Sequence, residues 1–125
     1  MELRKKTGIL LILSIIWTVL IFVLCILPPH NLPKTRLLHL DKAAHFGFFF
    51  IQSALVSLVL HYKTKKSFFQ IIFLSTIQAF VYGGIIEILQ NEFFNRTGDF
   101  YDLLADVVGG FFGAIASRFV LKNNT

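Results

Sequence analysis

The sequence predicts an all-α protein, a four-helix transmembrane bundle with both termini in the cytoplasm, built as a single domain over residues 1–125. Three observations carry this. Apolar residues make up 55% of the chain and charged residues 15%, against roughly 45–50% and ~25% in ordinary soluble domains. The apolar residues fall in four runs, near 8–27, 43–60, 68–89 and 102–121, each close to the ~20 residues that cross a bilayer. Lysine and arginine, finally, divide unevenly between the segments that join those runs.

The first run follows Arg4-Lys5-Lys6 and continues without a charge from Gly8 to Leu27. It is longer than the ~7–15-residue core of a secretory signal and closes on Cys25-Ile-Leu-Pro-Pro rather than on small residues, so a retained helix is expected. Pro28, Pro29 and Pro33 end it, because proline removes a backbone donor and restricts the residue before it. Leu37 to Leu40 reads as a short interfacial piece, and Asp41 stands where the N-cap of the second helix belongs. A basic turn at Lys63, Lys65 and Lys66 leads to Ser67 or Phe68, where the third helix opens. The fourth begins near Asp102.

Eight lysines and arginines lie with the termini and the 63–66 turn: Arg4, Lys5, Lys6, Lys63, Lys65, Lys66, Arg118 and Lys122. Four lie on the other side: Lys34, Arg36, Lys42 and Arg96. The excess marks the cytoplasmic face of the membrane. Six of the seven acidic residues fall on the opposite side. The net charge of +5 therefore records topology, and no nucleic-acid partner is expected. Cys25 is the only cysteine, which excludes a disulfide framework. No phosphate-cradling glycine loop, nucleophile elbow or two-histidine zinc motif is present.

Glu87, Glu92, Asp99, Asp102 and Asp106 crowd one stretch between two apolar runs. A charge in hydrocarbon costs at least ~2.5–3.5 kcal/mol on insertion scales, so function is expected there. Asp41 and His45, four apart, share a helix face, and Lys42 beside them either snorkels to the headgroups or meets a ligand. Glu87 is placed near the C-terminal end of the third helix, where the macrodipole disfavours it; a pairing with Arg96 or Lys42 is open, and Gln90 lies on the same face. Asp99 and Asp102 suit the cap and first turn of the fourth helix, whereas Asp106 is too deep for capping and should face the bundle interior. Arg96 offers a guanidinium to a carboxylate or to a phosphate. Ala105, Gly109, Gly113 and Ser117 make a small-residue stripe that suits close packing within the chain or between copies. Gly83 and Gly84 are expected to pack similarly on the third helix.

Together these residues resemble the VanZ-like family of small bacterial membrane proteins. The resemblance covers roughly Leu40 to Phe119: Asp41-Lys42-Ala-Ala-His45-Phe46, then Glu87-Ile-Leu-Gln90, Arg96-Thr-Gly-Asp99-Phe-Tyr-Asp102, and the glycines from Gly109 to Gly113. One departure is Asp106, where the family commonly carries asparagine, which implies a need for a hydrogen-bonding group rather than for charge. The family is named for a protein of teicoplanin resistance, so the resemblance implies a role in the cell envelope.

The expected site is one outward-facing cavity. His45, Glu87 and Asp102 are its candidate catalytic groups, and Asp41, Lys42, Gln90, Arg96, Asp99 and Asp106 its candidate ligand contacts. The sequence requires no cofactor and leaves room for a divalent cation, with Asp41, His45, Glu87, Asp99 and Asp102 as candidate ligands. Three readings stand. The cavity engages a lipid-linked wall precursor, a glycopeptide or another envelope molecule bearing a phosphate or an amine. Alternatively it is an enzyme acting on a lipid phosphate, or the polar residues are interhelical glue.

Overall fold

The computed structural model describes residues 1–26, 34–93 and 99–123, with the side chains of 34–39 left aside. It contains four helices: α1 (Glu2–Ile26), α2 (Lys34–Lys63), α3 (Phe68–Phe93) and α4 (Phe100–Asn123). Each is long and apolar enough to cross a membrane. The start of α1, the end of α2, the start of α3 and the end of α4 surround a common cavity lined by Lys6, Tyr62, Lys66, Phe68 and Lys122. The helices thus alternate in direction along the chain, and both termini lie at the end that carries the basic turn.

Two boundaries differ from expectation. Leu37 to Leu40 belong to α2 itself, so Asp41 sits inside the helix and is not its N-cap. α3 continues to Phe93, which leaves Glu87 almost two turns short of its end. The start of α3 is fixed by a reciprocal cap: Ser67 N–H donates to Gln70 Oε1 at 3.0 Å and Gln70 N–H donates to Ser67 Oγ at 3.3 Å. Pro28, Pro29 and Pro33 lie outside the described residues.

Polar side chains share the interior with an apolar cluster of Ile21, Phe49, Ala79 and Ile86, and the exterior is apolar, unlike that of a soluble domain. His45, Gln52, Ser53, Ser57, Ser75, Gln90, Asp102 and Asp106 are buried, while Ile9, Ile15, Phe69, Phe73, Phe80, Ile88 and Phe119 are exposed. In hydrocarbon the apolar exterior costs nothing, and interior polar groups join helices by hydrogen bonds. Ser57 and Ser75 hydroxyls meet at 2.7 Å between α2 and α3. Trp17 Nε1 donates to Phe48 O at 2.9 Å and Gln52 Nε2 to Thr18 Oγ1 at 3.0 Å, joining α1 to α2.

α4 packs most extensively on α2 and next on α3. Glycines make this possible. A Cβ at Gly109 would strike the carbonyl oxygen of Phe46, and one at Gly113 that of Phe50. The Gly109/Gly113 face expected to serve either packing or an oligomer is therefore occupied by α2 of the same chain, and an oligomer would need another surface. The matching pairs also show that α2 and α4 run parallel, so the polar starts of both helices lie at one height. Gly110 faces Ala79 of α3 instead. Gly84, expected to pack, has nothing within 4 Å of where a Cβ would be.

Candidate functional site

At the end of the bundle opposite the basic turn, α2, α3 and α4 bring seven of the expected residues together. The fourfold spacing of Asp41 and His45 puts both on the face of α2 that meets α4, and the same spacing puts Asp102 and Asp106 on the facing side of α4. His45 Nδ1 lies 2.7 Å from Asp106 Oδ1. On the other edge of the ring, Nε2 is 3.8 Å from Asp41 Oδ1 and 3.9 Å from Asp102 Oδ2. Lys42 Nζ donates to Asp99 Oδ2 at 2.8 Å and to Asp102 Oδ1 at 3.3 Å.

The site grades from open to closed. Lys42, Asp41 and Asp99 side chains are 32%, 29% and 28% exposed, whereas Asp102, His45 and Asp106 fall to 4%, 1% and 0%. Solvent thus reaches Lys42, Asp41 and Asp99 first. A cleft of about 230 Å³ between α3 and α4 runs alongside, lined by Glu87, Ile88, Asn91, Glu92, Asp99, Phe100 and Leu103.

Among the described residues Glu87 is not paired with Lys42, and its expected pairing with Arg96 lies outside them. Its Oε2 accepts the Asp99 N–H at 2.8 Å, at the N-terminal end of α4, where a helix dipole favours negative charge. The disfavour read from its own helix is thereby offset by a neighbouring one. Asp99 caps α4 as expected: its Oδ1 accepts Tyr101 N–H at 2.9 Å. The hydrogen bond from Lys42, together with that from Tyr101, holds the Asp99 carboxyl below the usual carboxylate range. A carboxyl lowered in the folded state adds stability above its unfolded titration range, and that stability is lost as pH falls through the lowered value. Asp99→Ala is accordingly expected to cost about 1 kcal/mol at pH 7, the usual value of a cap. The gap from wild type should close as the medium is acidified, read by unfolding in mixed micelles.

The amide nitrogen of Gln90 is engaged away from the pocket. Its Nε2 donates to Cys25 O at 2.6 Å. That carbonyl belongs to the last turn of α1, where no helical partner remains, so Gln90 closes a helix end and ties α3 to α1. Arg96 lies outside the described residues.

Three buried polar atoms here have no hydrogen-bond partner among the described residues: His45 Nε2, Glu87 Oε1 and Asp106 Oδ2. Two groups of side chains, Asp41–His45–Asp102 and His45–Glu87–Asp106, each place one ligating atom per residue within 4.8 Å of one another. Asp99, expected among the metal ligands, belongs to neither, being held by Lys42 and its own helix start. Asp106, expected only as a ligand contact, is instead the partner that orients His45. Gly83 completes the site without a side chain: a Cβ there would lie 2.5 Å from Asp106 Oδ2, so α3 has an opening where the carboxylate fits. Its position four residues before Glu87 places it on the same face, the one sequence feature that signals this role. Among family models, curated proteins and solved structures, none matches this chain.

Proposed function

We propose that the chain is a VanZ-like multi-pass protein of the bacterial cytoplasmic membrane, with both termini inside, whose outward pocket engages an envelope molecule bearing an amine or a phosphate. The observation that carries this reading is the convergence of Asp41, Lys42, His45, Glu87, Asp99, Asp102 and Asp106 at one end of a bundle that is otherwise apolar outside. Intramembrane ionisable residues are costly and mark pathways and binding sites. Five carboxylates against Lys42 and His45 favour a cationic feature in the ligand, such as the amine of a glycopeptide or of a lipid-linked precursor. Lys42 offers the complementary contact for an anionic group. The distribution of basic residues supports the outward orientation, and the resemblance in sequence supports teicoplanin-type resistance as the role.

The test is expression in a susceptible bacterium, with teicoplanin sensitivity measured beside membrane abundance. Wild type should protect, and Asp102→Asn at equal abundance should lose that protection. Equal protection by both proteins, or none by the wild type, would overturn the proposal.

A second reading, an enzyme acting on a lipid phosphate, is favoured by one feature. His45 is held at Nδ1 by Asp106 while Nε2 stays buried and without a hydrogen-bond partner among the described residues, as a general base requires. On this reading His45→Gln lowers lipid-phosphate turnover by about 10²–10⁴-fold. Turnover retained in that variant removes the acid–base role. Interhelical glue, the third reading, predicts no loss of protection in any variant that folds.

A further inference from the structure

We propose that His45 Nε2, Asp41 and Asp102 hold a divalent cation of the Mn²⁺ or Zn²⁺ kind, with Asp106 as the residue that orients the histidine. The inference deepens the reading of this pocket as a ligand site and rests on it. Four features of the pocket point the same way.

The ring nitrogen is aimed and has no hydrogen-bond partner. His45 is 1% exposed, and Nε2 has no such partner among the described residues. The carboxylate oxygens beside it, Asp41 Oδ1 at 3.8 Å and Asp102 Oδ2 at 3.9 Å, are too far for hydrogen bonds. Metal bonds of about 2.0–2.2 Å place neighbouring ligand atoms roughly 3–3.4 Å apart. A closure of about half an ångström would therefore bring the three into coordination, and Asp41 stands on the exposed rim, where movement is easiest.

The other ring nitrogen is fixed as a metal-binding histidine needs. Asp106 Oδ1 lies 2.7 Å from Nδ1. A carboxylate on the far nitrogen selects the tautomer, sets the ring plane and raises the basicity of the ligating nitrogen. Gly83 leaves space for that carboxylate against α3.

Lys42 engages only one oxygen of the group. Its Nζ lies on Asp99 and on Oδ1 of Asp102, leaving Oδ2 of Asp102 turned towards His45. Carboxylate oxygens of Asp41 and Asp102 thus approach Nε2 from two different helices, as ligands around one ion must. In the alternative group of His45, Glu87 and Asp106, one oxygen of each carboxylate is already engaged, Asp106 Oδ1 on Nδ1 and Glu87 Oε2 on Asp99 N–H. That leaves Asp106 Oδ2 and Glu87 Oε1 for an ion, and the Glu87→Gln variant separates the two groups.

The donor set selects the ion class. Imidazole with carboxylates suits Zn²⁺ and Mn²⁺, while Ca²⁺ asks for six to eight oxygens. Three protein ligands leave a coordination position for an outside oxygen. A phosphate oxygen in that position reconciles a carboxylate-rich pocket with an anionic ligand.

The test uses the purified full chain in detergent, prepared metal-free and titrated with Mn²⁺ alone. The electron paramagnetic resonance signal of free Mn²⁺ should report one bound ion per chain, displaced by Zn²⁺. Asp41→Asn, at the rim where folding is least at stake, and Asp102→Asn should each weaken binding at least tenfold. Glu2→Gln at the opposite end should leave it unchanged. Asp106→Ala should weaken it more than Asp106→Asn, since asparagine retains an oxygen for Nδ1–H. Absence of stoichiometric binding by folded wild type overturns the proposal. So does binding that Asp41→Asn and Asp102→Asn leave intact, or binding that depends on Glu87→Gln in their place. Failure of the metal with loss of teicoplanin protection in Asp102→Asn would leave the envelope reading standing. Metal bound as described with protection unchanged in that variant would remove the envelope reading alone.

Discussion

Gly113→Leu is expected to leave little correctly folded protein. The atoms that a Cβ at Gly113 meets are the carbonyl oxygen, carbonyl carbon and Cα of Phe50, all backbone of α2. A flexible side chain could swing aside, but a helix backbone cannot. Overpacking in a tight core costs about 1–3 kcal/mol where side chains can adjust, and here none of the obstructing atoms belongs to one. The damage also reaches the pocket. Lys42 and His45 stand on α2, and Asp102 and Asp106 on α4, so prising the helices apart separates every charge pair between them. Gly113→Ala should show the same defect to a smaller degree. Unfolding in mixed micelles and protease resistance give the readout; Gly113→Leu behaving like wild type would mean that α2 and α4 do not approach this closely.

Asp106→Ala is expected to be the second most damaging change, and Asp106→Asn much milder. Removing the carboxylate leaves His45 Nδ1 fully buried with no acceptor, and a buried unsatisfied group costs about 1–3 kcal/mol. The imidazole also loses the contact that fixes its plane, so the pocket should fail even in molecules that fold. Asparagine keeps an oxygen at the same place and should restore most of both properties. A stability difference between Ala and Asn, measured in the same micelles, isolates the hydrogen bond from the charge. Equal loss in both variants would show that the negative charge itself is needed.

Much of the architecture was readable because membrane helices are announced by composition and length, and the four apolar runs leave few alternatives. Helix ends were less so. Asp41 followed by an apolar run looks like a cap, yet seven residues of helix precede it, and only the continuous backbone reveals this. Glu87 appeared to end its helix because the apolar pattern stops there, although α3 carries on through Asn91 to Phe93. Within the site, fourfold spacing placed Asp41 with His45 and Asp102 with Asp106. Spacing within one helix says nothing about which faces meet, so the His45–Asp106 contact needed coordinates. The Gln90 contact was hidden for a related reason: the carbonyl its amide nitrogen satisfies belongs to α1, far away in sequence.

The two glycine notches on α4, spaced like the carbonyls of Phe46 and Phe50 that they receive, behave as a detent. Sliding α4 along α2 by a single residue would set Val108 and Phe112, or Gly110 and Ala114, against the two carbonyls, so at least one side chain meets a carbonyl either way and small slips are barred. A full turn, about 5.4 Å, fares no better: it would set Ala105 against the Phe46 carbonyl in one direction and Ser117 against that of Phe50 in the other. The two notches therefore admit one register, and that register decides that Asp106, and not Asp102, stands beside His45 Nδ1.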